Sequence, residues 1–339
     1  MKLPQRSWRP CAVALVLACA AAQPALAGPA TYRAICDASA AIAIGKDHFV
    51  VGEDERNVLH VYRYGDPESK AQVDLTAYLR GTDDKDSDIE GAARVGQRIY
   101  WISSHGRDKH AKVEPSRMRF FATTIDETGA VPVVKEVSTL PYTKLLDFIA
   151  ADPRFAVLKE ASRFAPKSGE GLNIEGLAAT PDGHLLIGFR NPRPEGKALV
   201  LPLLNPAAVI DSAADPRFGD LIPLDLDRRG IRSIEWMDGG YVIVAGAHDD
   251  RSLNDKALDF KLYRWAGPGS KPVKDKKVDF GRLNPEAIFQ VKGKKPGMAY
   301  VLSDDGEVSI GNEKCKDVPT EKKRFRGVAI RLRASSPDL

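Results

Sequence analysis

Along this chain apolar residues come in short runs separated by Gly- and Asp-rich turns, with no long stripe of helical period. Five runs rich in aromatic and β-branched residues stand at 48–51, 98–102, 184–188, 241–244 and 298–302. Each follows a turn, at 45–47, 95–97, 181–183, 238–240 and 292–297. Strand, tight turn, strand is the signature of a β-hairpin. Before each turn an acidic or polar residue is followed by small or apolar ones: Asp37 or Ser39 in the first stretch, then Glu90, Glu175, Glu235 and Glu286. A third run follows most hairpins, at 58–62, 119–123, 198–201 and 260–264. The pattern predicts antiparallel sheets of three or four strands, repeated along the chain.

These opening positions lie about 50–60 residues apart, except for a gap of about 85 between the second and third. That spacing suits the blades of a β-propeller, which run ~40–50 residues plus insertions. We therefore expect an all-β protein, a single propeller over 28–339 with five recognisable blades. The wide gap carries an apolar helical patch at 142–151 and a polar run at 159–171. It reads as an insertion around 140–171, with room for a sixth, degenerate blade. The competing architecture, a β-sandwich, has no common opening motif for its strands. The alternating segment 324–332 reads as an edge strand pairing with a short strand at 32–35, which would close both chain ends into one blade.

Composition narrows the class. Hydrophobic residues make up 43% and charged residues 28% of 339, as in a packed globular protein and unlike a disordered one. The formal charge of +4 includes Lys2, Arg6 and Arg9 near the start; without them the chain is close to neutral, which argues against nucleic-acid or membrane-surface binding. Those three bases, the apolar stretch 11–22 and the small-x-small site Ala25-Leu26-Ala27 read as a signal peptide over 1–27. A lipoprotein signal ending at Cys19 is the rival reading. No later segment reaches the ~20 apolar residues of a transmembrane helix. The expected location is periplasmic or secreted, and the expected state a monomer. Cleavage after Ala27 would leave Cys36 and Cys315, which an exported protein is expected to pair; two separate buried thiols are the alternative.

The first strand of a propeller blade lies nearest the axis and its partner returns antiparallel. The start of one and the end of the other therefore share a rim. That rim would gather Glu90, Glu175, Glu235 and Glu286 from strand starts, and His105, Arg107, Arg190, Asn191 and His248 from strand ends. Unit charges ~4 Å apart repel by about 4 kcal/mol at an effective dielectric of ~20, so the carboxylates need compensation. A divalent cation is one answer, and hard oxygen ligands in a flexible ring suit calcium. Arginine pairing is another, with Arg107, Arg190, Arg232 and Arg251 at hand. Shared protons are a third. His105 and His248, at matched places, are candidate acid–base groups; Arg107, Arg190 and Asn191 are candidates to hold a ligand. The plainer reading is a salt-bridged scaffold in which each Glu caps backbone amides.

The run Asn173-Ile174-Glu175-Gly176-Leu177-Ala178-Ala179-Thr180-Pro181-Asp182-Gly183 resembles the gluconolactonase and regucalcin propellers and, more loosely, phytase-like esterase propellers. Residues 101–107 and 188–192 resemble a bacterial exported propeller family classed as a domain of unknown function. The resemblance implies the fold and export. In the lactonase propellers Glu, Asn and Asp hold a divalent ion at the channel mouth, whereas the matching positions here are mostly Glu.

Two functions follow. One is a calcium-dependent hydrolase of a phosphoester or lactone, its ion polarising the substrate and activating water. The other is a non-catalytic propeller binding a small molecule or a protein at the same mouth. Nucleophile-elbow, zincin, Walker and dinucleotide motifs are absent from the sequence.

Overall fold

The computed structural model describes residues 28–53, 55–79, 86–247, 259–291 and 296–332. After a short strand β1 (Ala30–Arg33), the chain lays down four blades of four antiparallel strands in simple order. Blade 1 is β2 (Ala38–Ile44), β3 (His48–Glu53), β4 (Val58–Arg63) and β5 (Ala71–Asp74). Blade 2 is β6 (Ile89–Val95), β7 (Arg98–Ser103), β8 (Phe120–Asp126) and β9 (Val133–Glu136). Blade 3 is β10 (Asn173–Ala179), β11 (Leu185–Asn191), β12 (Ala198–Leu203) and β13 (Ile222–Leu224). Blade 4 is β14 (Gly230–Met237), β15 (Gly240–Gly246), β16 (Lys261–Trp265) and β17 (Val273–Asp275). Blade 5 has β18 (Pro285–Gln290) and β19 (Met298–Ser303), a small ribbon of β20 (Ser309–Ile310) and β21 (Glu313–Lys314), then β22 (Arg324–Arg331).

The innermost strands close a ring: β2 packs on β6, β6 on β10, β10 on β14, β14 on β18, and β18 back on β2. The protein is a five-bladed propeller, and the insertion holds no sixth blade. It forms two short helices, Leu145–Ala151 and Ala156–Ala161, whose Leu145, Ile149 and Leu158 are buried between blades 2 and 3. One apolar cluster fills each of the five blade junctions. Burial on both faces explains why β2 has no exposed residue and why its sequence does not alternate.

The ring closes differently from the sequence expectation. β22 is not an edge strand. It lies between β19 and β1, so β1 is the outer strand of blade 5. Both neighbours are provided by the same chain, which leaves its backbone donors and acceptors paired. Tyr32, Phe49, Phe289, Tyr300 and Phe325 pack at this junction, and the Cys36–Cys315 disulfide spans it.

Candidate functional site at the channel mouth

Each innermost strand is interrupted near its start by a β-bulge, and in β10 the ladder also shifts between Asn173 and Ile174, opposite Arg190. The ladder skips between Ala38 and Ala40, Ile89 and Gly91, Ile174 and Gly176, Ile231 and Ser233, and Pro285 and Ala287. The skipped residues are Ser39, Glu90, Glu175, Arg232 and Glu286. A bulge leaves its extra residue outside the ladder and re-aims its side chain. The residue after each is small (Ala40, Gly91, Gly176, Ser233, Ala287) because the next blade approaches closely. A Cβ on Gly91 would lie 3.1 Å from the backbone nitrogen of Leu177.

The ring therefore holds three carboxylates, one guanidinium and one hydroxyl. Glu235 is not a member. It lies three residues further along β14, paired with Val242 of β15. There it carries a desolvated carboxyl pushed up to about 8. Aligning the fourth repeat on its Glu places the register three residues too late; the order apolar, bulge, small fits Ile231-Arg232-Ser233 and not Ile234-Glu235-Trp236.

Arg232 is 6% exposed and stands between its two ring neighbours. Its Nε lies 2.9 Å from Glu175 Oε2, and its Nη2 meets Glu286 Oε1. Glu175 Oε1 accepts from Arg190 Nη1 (2.9 Å) and from Asn173 Nδ2 (2.7 Å). Burial, then repulsion from Arg190, lowers the Arg232 pKa. Of the three compensations open to a carboxylate ring, arginine pairing is the one used on this side.

A polar cavity of about 250 Å³ opens above the ring. Glu90, Glu175, Arg232 and Glu286 form its floor, and Arg190 and Asn173 flank them. Its walls add Glu55, Asp86, Asp88, Asp304 and Arg117, with Pro166 and Lys167 reaching in from the insertion. Arg117 Nε lies 3.5 Å from Asp88 Oδ2, and Lys323 Nζ 3.2 Å from Glu55 Oε2. Behind Asp304, the Asp37 carboxyl is 5% exposed. The backbones of the two segments are joined by Asp305 N donating to Cys36 O (2.9 Å). Burial, then the charge of Asp304, pushes Asp37 up to about 9; burial also raises Asp304. This pair retains a proton, the third form of compensation. Partial desolvation and the charges of Glu55 and Asp88 raise Asp86 to about 6.

Other expected site residues lie away from the cavity. His105 is buried, its Nδ1 2.9 Å from Ser103 O, and burial lowers its pKa to about 4; it is a neutral structural imidazole. Arg107 clasps the insertion, donating from Nε to Ser162 O (2.6 Å) and from Nη1 to Ala111 O (3.0 Å). Asn191 is buried and donates from Nδ2 to Pro166 O (3.1 Å), which seats the insertion beside the mouth. His248 and Arg251 lie outside the described residues, as do residues 1–27, the expected signal peptide, with Cys19. Sequence reasoning missed Lys167, Arg117 and Asp86 as wall residues, since loop length and direction decide them.

No family model and no curated protein matches this chain. Solved structures do. The major allergen Mala s 1 of Malassezia sympodialis is 12% identical, covering 92% of this chain and 98% of its own, at a TM-score of 0.47. A putative oxidoreductase (glucose dehydrogenase) from Thermus thermophilus is 14% identical, covering 89% and 100%, at 0.42. The Cps50 (Swd1) β-propeller domain of Myceliophthora thermophila is 12% identical, covering 88% and 98%, at 0.37. These likenesses concern the fold, and none brings a function with it.

Among the described residues no helix is long and apolar enough to cross a membrane, and no group of three or more His, Cys, Asp or Glu is arranged to hold a metal ion. The ring carboxylates do not fit calcium. Both oxygens of Glu175 and Oε1 of Glu286 face guanidinium groups, and a cation seated there would meet Arg232.

Proposed function

We propose that this protein is an exported binding propeller that takes a small polar molecule at its mouth without a metal ion. The observation that carries this reading is Arg232 in the fourth ring position, where it occupies carboxylates that a cation would need. The cavity is smaller than the ~300–1,000 Å³ usual for drug-sized ligands, which points to a small guest. Export is supported by the Cys36–Cys315 disulfide, since such bonds persist in oxidising compartments. The test is thermal unfolding of the mature protein with excess calcium or with a chelator. Equal melting temperatures are expected. A calcium-dependent rise that Glu175→Gln abolishes would overturn this reading in favour of the metal-dependent hydrolase, because a ligand that binds only the folded state must raise its stability.

A further inference from the structure

We infer that the mouth takes a small dipolar molecule, its ammonium end toward blades 5, 1 and 2 and its anionic end toward Arg190 and Lys167. This rests on the metal-free binding reading above.

The order of blades around the axis separates the charges. Asp304 follows β19 of blade 5, Glu55 follows β3 of blade 1, and Asp86 and Asp88 precede β6 of blade 2, which carries Glu90. These acids occupy one continuous arc of the wall. Lys167 from the insertion, Arg190 of blade 3 and Arg232 of blade 4 stand on the other side, where the two arginines share Glu175 and Arg232 also holds Glu286. All line the same cavity.

Internal pairing then decides what is left for a guest. Arg232 is taken by Glu175 and Glu286, Arg117 stands beside Asp88, and Glu55 beside Lys323. Among the described residues Lys167 makes no ion pair and neither does Asp86. Arg190 is 4% exposed, yet its Nε has no hydrogen-bond acceptor among the described residues. Buried polar groups rarely stay unpartnered. A guanidinium N–H on one wall and a carboxylate on the other, each unmatched among the described residues, ask for a ligand with an acceptor at one end and a donor at the other.

The cationic end is a hydrogen-bonding ammonium and not a quaternary one. No aromatic side chain among the described residues lines the cavity, so the ring faces that capture quaternary ammonium groups are missing. Carboxylates instead accept N⁺–H donors through charge-assisted hydrogen bonds. The anionic end is an oxyanion that can accept from Arg190 and Lys167.

The test is calorimetric titration of the mature protein with ω-amino acids from glycine to 6-aminohexanoate. Each is matched by the amine and the carboxylic acid of the same length, and calcium chloride is a separate arm. At least one ω-amino acid should bind about tenfold more tightly than both of its single-ended counterparts. Lys167→Met should remove that preference while leaving amine binding and the melting temperature unchanged, since Lys167 is exposed and unpaired. Asp86→Asn should do the reverse, weakening the amines and sparing the acids. If amines bind as tightly as ω-amino acids, or if no member of the series binds, the dipolar inference is overturned. Binding of calcium alone would overturn the metal-free reading with it.

Discussion

Blades 3 and 4 and blades 5, 1 and 2 bring similar residues to one mouth and neutralise them in opposite ways. On the first side Glu175 is bracketed by Arg190 and Arg232, and Arg232 also holds Glu286. On the second, Asp37 and Asp304 lie together without a guanidinium between them, and a retained proton replaces the missing cation. The difference teaches that a ring of acids does not by itself define a metal site. What matters is which position in the ring carries the counter-charge. One guanidinium in a bulge position neutralises two neighbours at once, while the far arc keeps its acidity and is sensitive to pH.

The largest expected effect comes from removing the counter-charge. Arg232→Met strips the buried Glu286 of its guanidinium and leaves Glu175 with Arg190 alone, and should cost roughly 3–5 kcal/mol in urea unfolding. Adding Glu286→Gln should recover part of that loss, because the stranded charge is then gone. No recovery would mean that Arg232 acts through packing, for example against Phe260, and not through charge.

Next is the closure beside the acidic arc. Cys36→Ser with Cys315→Ser should destabilise by about 2–5 kcal/mol. The bond closes a loop spanning 279 positions of sequence and sits next to Asp37, so the same variant should loosen the acidic arc first. Hydrogen exchange of the Asp305 amide, which bonds to Cys36 O, reads that directly. Unchanged exchange there would separate the disulfide from the mouth.

The arcs are also distinguished by pH. Asp37 is raised in the fold from an ordinary carboxylate value near ~4 to about 9. A group raised on folding stabilises fully below its unfolded pKa, and that contribution is lost as pH climbs through the folded one. Stability should therefore decline from about pH 4 toward pH 9. Asp37→Asn cannot ionise, so it should match the parent near pH 4 and exceed it at about pH 8. Parallel melting curves across that range would show that the pair carries no retained proton.

The smallest expected effect tests the register. Glu235→Gln should change stability by no more than ~0.5 kcal/mol at about pH 6, where the desolvated carboxyl is already protonated. It should leave ligand binding at the mouth untouched. A loss comparable to that of Arg232→Met would return Glu235 to the ring.

The chain's short apolar runs, its Gly–Asp turns and its five opening stretches were sufficient to indicate a propeller, its blades and the pairing of Cys36 with Cys315. Each rests on local pattern: short apolar runs, turn chemistry, and the presence of only two cysteines after residue 27. Glu90, Glu175, Glu286 and Arg190 were legible as neighbours for the same reason, since each opens or ends a strand of a repeated hairpin. Three things were decided only by the tertiary structure. The bulge in β14 falls at Arg232 because backbone pairing with β15 and the close approach of the next blade require a small residue after it, and Ser233 meets that where Trp236 cannot. His105 and Arg107 end their strand facing protein, because the insertion between blades 2 and 3 packs over them, and long-range packing of that kind leaves no local signature. The division of the mouth into a paired arc and an acidic arc depends on which blades are neighbours around a closed ring. Residues distant in sequence then meet across the axis, and the order of charges along the chain becomes an order around a circle.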